Sequence, residues 1–260
     1  MNPVPGVLAN DPELSVIVPM YNEGENVARL CEEIAGALRG RADAYQVVLV
    51  DDGSSDNTWA CILEAQRRDS HVHGLRHARR CGQSAALWTG IQGTSSPLIA
   101  TLDGDGQNDP ASFPQMLEML GDADMVCGVR VKRQDRWLRK VSAAIARWAR
   151  GLVLGSALRD VGCGLRVFRR EALEGVFGFN GLHRFLPILA AGGGFRVVET
   201  PVNHRPRLSG VSKYGVWNRA LRGAVDLFAI AWYQRRRFGS VVIAESTSAA
   251  RVARSTVPRS

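Results

Sequence analysis

The chain is poor in lysine. Lys132, Lys140 and Lys213 are its only lysines, so arginine supplies 30 of its 33 basic residues. Cysteine is scarce and scattered: Cys31, Cys61, Cys81, Cys127 and Cys163 form no CxxC pair. That spacing excludes a zinc-ribbon site or a disulfide framework and points to free thiols in a reducing compartment. No uninterrupted apolar run reaches the roughly 18 residues a spanning helix needs. The nearest approach, AVDLFAIAW (224–232), is short and carries Asp226. The first residues, MNPVPGVLANDPEL, lack a basic start followed by an apolar core, so no signal peptide is expected. Also missing are an internal repeat, a P-loop, and a G-x-G-x-x-G after the first apolar run, where the chain reads PMYNEGEN. Those two common ways of holding a nucleotide phosphate are therefore excluded.

What is present suits one large α/β domain: 260 residues, 45% of them apolar. The expected layout is an extension at 1–13, a domain over 14–238 and a loose Ser/Ala/Arg tail at 239–260. The formal net charge of +8 admits nucleic acid, anionic membrane or phosphorylated substrates as partners. Surface arginine is read first as a coding bias. No RNA- or DNA-reading motif accompanies the charge, so no nucleic-acid partner is expected.

Apolar runs at 14–19, 45–50, 72–75, 97–102, 124–129 and 195–202 read as strands. CGLRVFRREAL (163–173) reads as a strand running into a helix. Between the strands, helical spacing puts Val27, Leu30, Cys31, Ile34 and Leu38 on one face. Further helices are expected starting with Trp59, Ile62 and Leu63, over 82–92 and from about Ala111, with long basic helices at 134–155 and 214–238. Alternating strands and helices imply a mostly parallel sheet covered on both faces. Ligands of such sheets bind beyond the carboxyl ends of the strands. Polar residues collect there: Tyr21, Asn22 and Glu23; Asp51 and Asp52; Asp103, Asp105 and Gln107; Arg130.

TLDGDGQNDP (101–110) places two carboxylates two residues apart. An acidic pair with an adjacent oxygen ligand suits a hard cation such as Mg²⁺. In an extended stretch Asp105 and Gln107 would share a face. The plain alternative is an acidic turn, and for Asp51 and Asp52 it is helix capping.

VIVPMYNEGENV, VLVDDGSSDNT, TLDGDGQNDP and GVR together resemble the family 2 glycosyltransferases of the GT-A fold, above all the polyprenyl-phosphate branch. The likeness spans about residues 14–238. It implies a nucleotide-sugar donor, most readily GDP-mannose, with UDP-sugars open, and a Mg²⁺ or Mn²⁺ cofactor. By that resemblance Pro19, Tyr21, Glu23, Val50 and Asp52 hold base and ribose. Asp103, Gly104 and Asp105 meet the diphosphate, and Asp103, Asp105 and Gln107 ligate the metal. Arg130 lies near the donor diphosphate or the acceptor phosphate. RLSGVSKYG (207–215) matches the family's R-x-x-G-x-S-K segment, so Arg207 and Lys213 clamp phosphates. DVGCGLRVFRRE (160–171) resembles the acceptor segment, with Cys163 replacing a small hydroxyl residue. Asp160 and Arg166 become acceptor candidates, although Arg166 also reads as a strand residue paired with an acid.

The implied reaction is an inverting displacement at the anomeric carbon. A lipid phosphate is already anionic and needs no general base, whereas a sugar hydroxyl does. The family's usual acidic pair for that purpose is missing from the second half, leaving only Asp160. This favours a polyprenyl phosphate acceptor. The two basic, Trp-bearing helices then suggest peripheral attachment to the inner membrane face. The alternatives are a soluble transferase with a hydroxyl acceptor, and a receiver-like or sugar-nucleotide binding module.

Overall fold

A computed structural model describes residues 12–41, 44–131, 151–155, 158–205 and 216–237, with side chains of the last helix from residue 225 onward. The segment with Arg207 and Lys213, nearly all of the expected helix 134–155 and the tail from 239 lie outside the described residues.

The strand runs emerge as β1 (Leu14–Met20), β2 (Tyr45–Asp51), β3 (Val72–Arg76), β4 (Leu98–Thr101), β5 (Met125–Arg130), β6 (Arg166–Arg169) and β7 (Val197–Val202). The helices are α1 (Gly24–Ala37), α2 (Thr58–Arg68), α3 (Gln83–Gln92), α4 (Phe113–Met119), α5 (Leu182–Gly192) and α6 (Val216–Arg236). The strands form one sheet in the order β3-β2-β1-β4-β6-β5-β7. Every pairing is parallel except those of β6, which runs antiparallel to both β4 and β5. The sheet is thus mostly parallel, as expected, and 163–173 is a strand running into a helix of the short 3₁₀ kind. After β6 only the 3₁₀ turn Arg170–Leu173 follows.

Side-chain alternation splits the core into two layers. Val16, Val18, Val47 and Leu49 join α1, α2 and α4 on one face. Ile17, Val48, Val50 and Ile99 join α3 and α5 on the other. Each fully buried aliphatic or aromatic side chain here contributes roughly 1.5–3 kcal/mol. The loops at the strand ends hold few such groups, so they depend on polar contacts for their shape. Asn57 precedes α2 but makes no capping bond. Asp56 does that work instead, accepting from the Thr58 N–H at 3.0 Å.

Candidate functional site

The reversal of β6 shapes the site. Six parallel strands end on one edge of the sheet, and the antiparallel β6 must begin there. The 158–165 segment is thereby delivered to the edge where the acidic residues stand. Thr101 Oγ1, at the end of β4, donates to the Gly164 carbonyl at 2.7 Å.

At that edge Asp103 is half-buried. Its Oδ1 accepts from Gln83 Nε2 at 2.7 Å and its Oδ2 from Asn108 Nδ2 at 3.3 Å. Gly164 packs directly on it: a Cβ there would lie 2.5 Å from the Asp103 carboxyl atoms. The next residues are not extended. Gly106 has φ +69° and Gln107 N–H donates back to Asp105 Oδ1 at 3.1 Å, closing a turn. Asp105 and Gln107 thus stand in a turn, not in the extended stretch from which a shared face was expected. Gln107 Nε2 donates to the Arg205 carbonyl at 3.4 Å, which leaves Oε1 as the end directed elsewhere. Gly104 carries no side chain because Met20 and the Pro19 carbonyl fill that space.

The pair fits a hard divalent cation. The donors are oxygens, and the carboxylates repel each other. Burial, then the charge of Asp105, push the Asp103 carboxyl up to about 6. A cation needs that carboxylate ionised. Mn²⁺ affinity should therefore fall about tenfold per pH unit below pH 6. A carboxyl whose folded value is raised favours the protonated fold. Its cost is present above pH 6 and disappears as pH falls through that value. The metal-free protein should consequently gain stability from this group between pH 7 and pH 5. Mn²⁺ titrations and thermal melts at pH 5, 6 and 7 check both signs; affinity unchanged across the series would refute the assignment.

The first two strand-end loops are sewn together. Asn22, at φ +53°, accepts from Ser55 N–H at 2.9 Å, and its own N–H donates to Ser54 Oγ at 2.9 Å. Glu23 N–H donates to Thr58 Oγ1 at 2.9 Å, and its carboxylate accepts from Asn26 at 2.6 Å. Asp51 does not cap α2; it accepts from Ser54 N–H and pairs with Arg76 Nε at 3.0 Å. Pro19 sits half-buried near the end of β1. The Tyr21 ring carries the Arg80 guanidinium 4.2 Å from its centroid. Val50 is different. Its side chain is fully buried against α3. Strand alternation turns it into the core, so any part it has at the edge falls to its backbone.

Asp52 is 3% exposed and already engaged. It accepts the N–H groups of Cys81 and Gly82 at 2.8 and 2.7 Å, and His77 Nδ1 lies 2.8 Å from Oδ1. Gly53, at φ +67°, lets the 77–82 loop close in; a Cβ would come within 2.6 Å of the Arg79 backbone. Asp52 therefore holds the 77–82 loop against the end of β2.

On the other side, Arg130 and Asp160 form a bidentate ion pair, Nε to Oδ2 at 2.7 Å and Nη2 to Oδ1 at 2.8 Å. Glu199 of β7 accepts the N–H groups of Arg159 and Asp160 at 2.7 and 3.1 Å, fixing the segment. Arg166 is 2% exposed and donates to the Val161 carbonyl at 2.8 Å. Its guanidinium charge also acts on the neighbouring Asp103 carboxyl, in keeping with a strand residue set beside an acid. It holds the loop that holds Asp160.

Four residues in the site carried no sequence signal of their own. Gln83 and Asn108 orient Asp103, and His77 contacts Asp52. Arg205 pairs with Glu33 at 2.8 Å and Asp109 at 2.9 Å, and its N–H donates to the Gln107 carbonyl at 2.8 Å. That clamp ties the end of β7 to the acidic turn.

Residues 15–177 match the family described as glycosyl transferase family 2. The dodecaprenyl-phosphate galacturonate synthase of Rhizobium johnstonii is 36% identical over 236 residues, covering 87% of this chain and 70% of that protein. A mannosyltransferase from Pyrobaculum calidifontis, solved with GDP-Man and Mn²⁺, superposes with TM-score 0.63 at 21% identity. That match covers 86% of this chain but 65% of the other. Glucosyl-3-phosphoglycerate synthase from Mycobacterium tuberculosis, solved with Mn²⁺, UDP and glucosyl-3-phosphoglycerate, gives 0.61 at 17% identity, covering 86% and 80% of the two chains. At such identities the structural likeness establishes the fold, which is GT-A.

Proposed function

The chain belongs to glycosyl transferase family 2 and is a glycosyltransferase, and from that premise we propose that its acceptor is a polyprenyl phosphate. The observation that carries this reading is the Arg130–Asp160 pair. A guanidinium stands beside the acidic turn, and the nearest carboxylate is spent on holding it. Such a site offers an anion a cationic partner and offers a hydroxyl no ready base. The relative that joins a sugar to dodecaprenyl phosphate agrees.

In this reading Tyr21, Glu23 and Asp52 line the nucleotide end, with Pro19 beneath. Asp103, Asp105 and Gln107 would hold Mg²⁺ or Mn²⁺, and such a cation neutralises charge on the departing diphosphate. Arg130 orients the acceptor phosphate. One phosphate oxygen attacks the anomeric carbon from the face opposite the diphosphate. The bond from that carbon to the diphosphate oxygen breaks, and its electron pair leaves with the nucleotide. Arg207 and Lys213 belong to the same proposal through their matching motif. GDP-mannose was the first donor the motifs suggested; the 36% identical relative moves nucleotide-activated galacturonate ahead of it.

Purified protein with Mn²⁺, a short polyprenyl phosphate and GDP-mannose, UDP-glucose, UDP-GlcNAc or UDP-galacturonate tests this directly. Organic-soluble sugar lipid from one donor is the expected product. Nucleotide release only with soluble sugar acceptors would transfer the protein to the hydroxyl-acceptor reading. With a polyprenyl phosphate as acceptor, Asp160→Asn should cost about tenfold, through looser positioning of Arg130, and keep the shape of the pH–rate profile. A general base would cost about 10²–10⁴-fold and remove a limb of that profile.

Membrane attachment is part of the proposal. No helix among the described residues is long and apolar enough to cross a bilayer. Val225, Phe228 and Trp232 of α6 are 61–67% exposed on one stripe, with Leu152 at 72% beside them and Arg235 and Arg236 next along the groove. Exposed aromatics beside arginine suit an anionic lipid interface. The double change Phe228→Ser with Trp232→Ser should weaken binding to anionic vesicles at least about tenfold, at roughly 0.8 kcal/mol per buried CH₂ lost. Equal co-sedimentation of both proteins would rule this surface out.

A further inference from the structure

We propose that Asp52, His77 and Cys81 form a second cation site, one for a thiophilic divalent ion of the Zn²⁺ class. A carboxylate oxygen, an imidazole nitrogen and the Cys81 sulfur lie within 4.8 Å of one another. They come from the end of β2, the residue after β3 and the loop before α3, so the site exists only in the folded chain. The donor set is one O, one N and one S. That mixture selects borderline-soft ions, whereas the all-oxygen set at Asp103 and Asp105 selects hard ones.

Two ligands are already oriented by outer contacts. His77 Nε2 lies 3.0 Å from Thr89 Oγ1 on α3, which turns Nδ1 toward Asp52. Asp52 is fixed by the Cys81 and Gly82 N–H groups. Contacts of this kind set ring orientation and ligand basicity in metal sites. The third ligand is adjustable: Cys81 is exposed, and its thiol lies 3.3 Å from the Arg79 carbonyl. Tetrahedral Zn²⁺ ligands sit roughly 3.3–3.8 Å apart, so a small side-chain rotation brings the sulfur in. The nearby cations have other work. Arg76 pairs with Asp51, and Arg80 stacks on Tyr21. The Asp52–His77–Thr89 chain alone would hold the loop; the thiol at its mouth is what that role leaves unexplained. Three protein ligands leave a fourth position on the exposed side.

Because Asp52 also belongs to the proposed nucleotide pocket, an ion here would compete with nucleotide; that consequence rests on the reading above, while the ion site does not. The test uses Co²⁺ as a spectroscopic probe on the full chain. One equivalent should give a thiolate-to-cobalt charge-transfer band, displaced by Zn²⁺ but not by Mg²⁺. The band should vanish in Cys81→Ser and persist in Cys61→Ser. Thr89→Val should weaken Co²⁺ binding about 10-fold or more. Absence of the band in the unmodified protein, or its survival in Cys81→Ser, overturns the site. A separate arm titrates Zn²⁺ against UDP and GDP binding. If neither nucleotide binds, the functional reading fails while the cobalt result still decides the ion site.

Discussion

Asp105→Asn is expected to lower turnover on the order of a thousandfold, about 4 kcal/mol of transition-state stabilisation. The substitution keeps the shape of the side chain and an oxygen that can accept from Gln107 N–H, now 3.1 Å from Asp105 Oδ1. The turn therefore survives, and only a charge is lost. That charge has two effects in the folded protein. It would help hold the divalent cation that offsets the departing diphosphate, and it adds its repulsion to burial, the larger cause, in pushing the Asp103 carboxyl up to about 6. Removing it should abolish tight Mn²⁺ binding. It should also let Asp103 ionise at lower pH, so the metal-free variant should melt no lower than the parent at pH 7. Loss of turnover with loss of Mn²⁺ affinity and an undiminished melting temperature is the predicted combination. Turnover within tenfold of the parent would remove Asp105 from the reaction.

Gly164→Ala should be nearly as damaging, about a hundredfold in turnover, although it changes no charge and adds one methyl group. The new Cβ would lie 2.5 Å from the carboxyl carbon and both oxygens of Asp103, closer than any stable contact. Gly164 lies outside the positive-φ glycines, so the backbone tolerates alanine and the clash is the whole effect. Asp103 must rotate away, losing its bonds from Gln83 and Asn108. Overpacking of this kind costs about 1–3 kcal/mol of stability, which leaves the protein folded at room temperature. Gly162→Ala is the matched control, since its nearest neighbour is the end of the flexible Arg130 side chain at 3.1 Å. Calorimetric Mn²⁺ binding and turnover on the two variants, after thermal melts confirm folding, separate them. Equal Mn²⁺ affinity in Gly164→Ala and the parent would mean that Asp103 is not held by this contact.

Much of this arrangement is visible in the residues alone. The β-branched runs at 14–19 and 45–50 become β1 and β2, within a residue or two. Their unbroken apolar character reports burial on both faces, and the turn-forming residues after them mark where each strand stops. Because ligand sites of parallel sheets lie at those stops, the edge bearing Asp52, Asp103, Asp105 and Arg130 follows from pattern alone. Val50 shows the limit of motif reading. A match to a binding motif fixes a position in the chain, but alternation decides the face, and Val50 faces the core.

The sequence by itself therefore establishes the layers, the strand ends and the acidic edge, since each depends on neighbours a few residues away. The tertiary structure alone decides which of these groups meet. Arg205 reaches Glu33 across 172 positions, Ser84 meets His183 across 99, and Thr101 bonds Gly164 across 63. The antiparallel insertion of β6 between β4 and β5 is the decisive event, because it carries Asp160 and Gly164 to the edge where Arg130 and Asp103 stand. Strand direction is set by how the connecting chain packs over both faces of the sheet, a property of the whole molecule that no window of residues records.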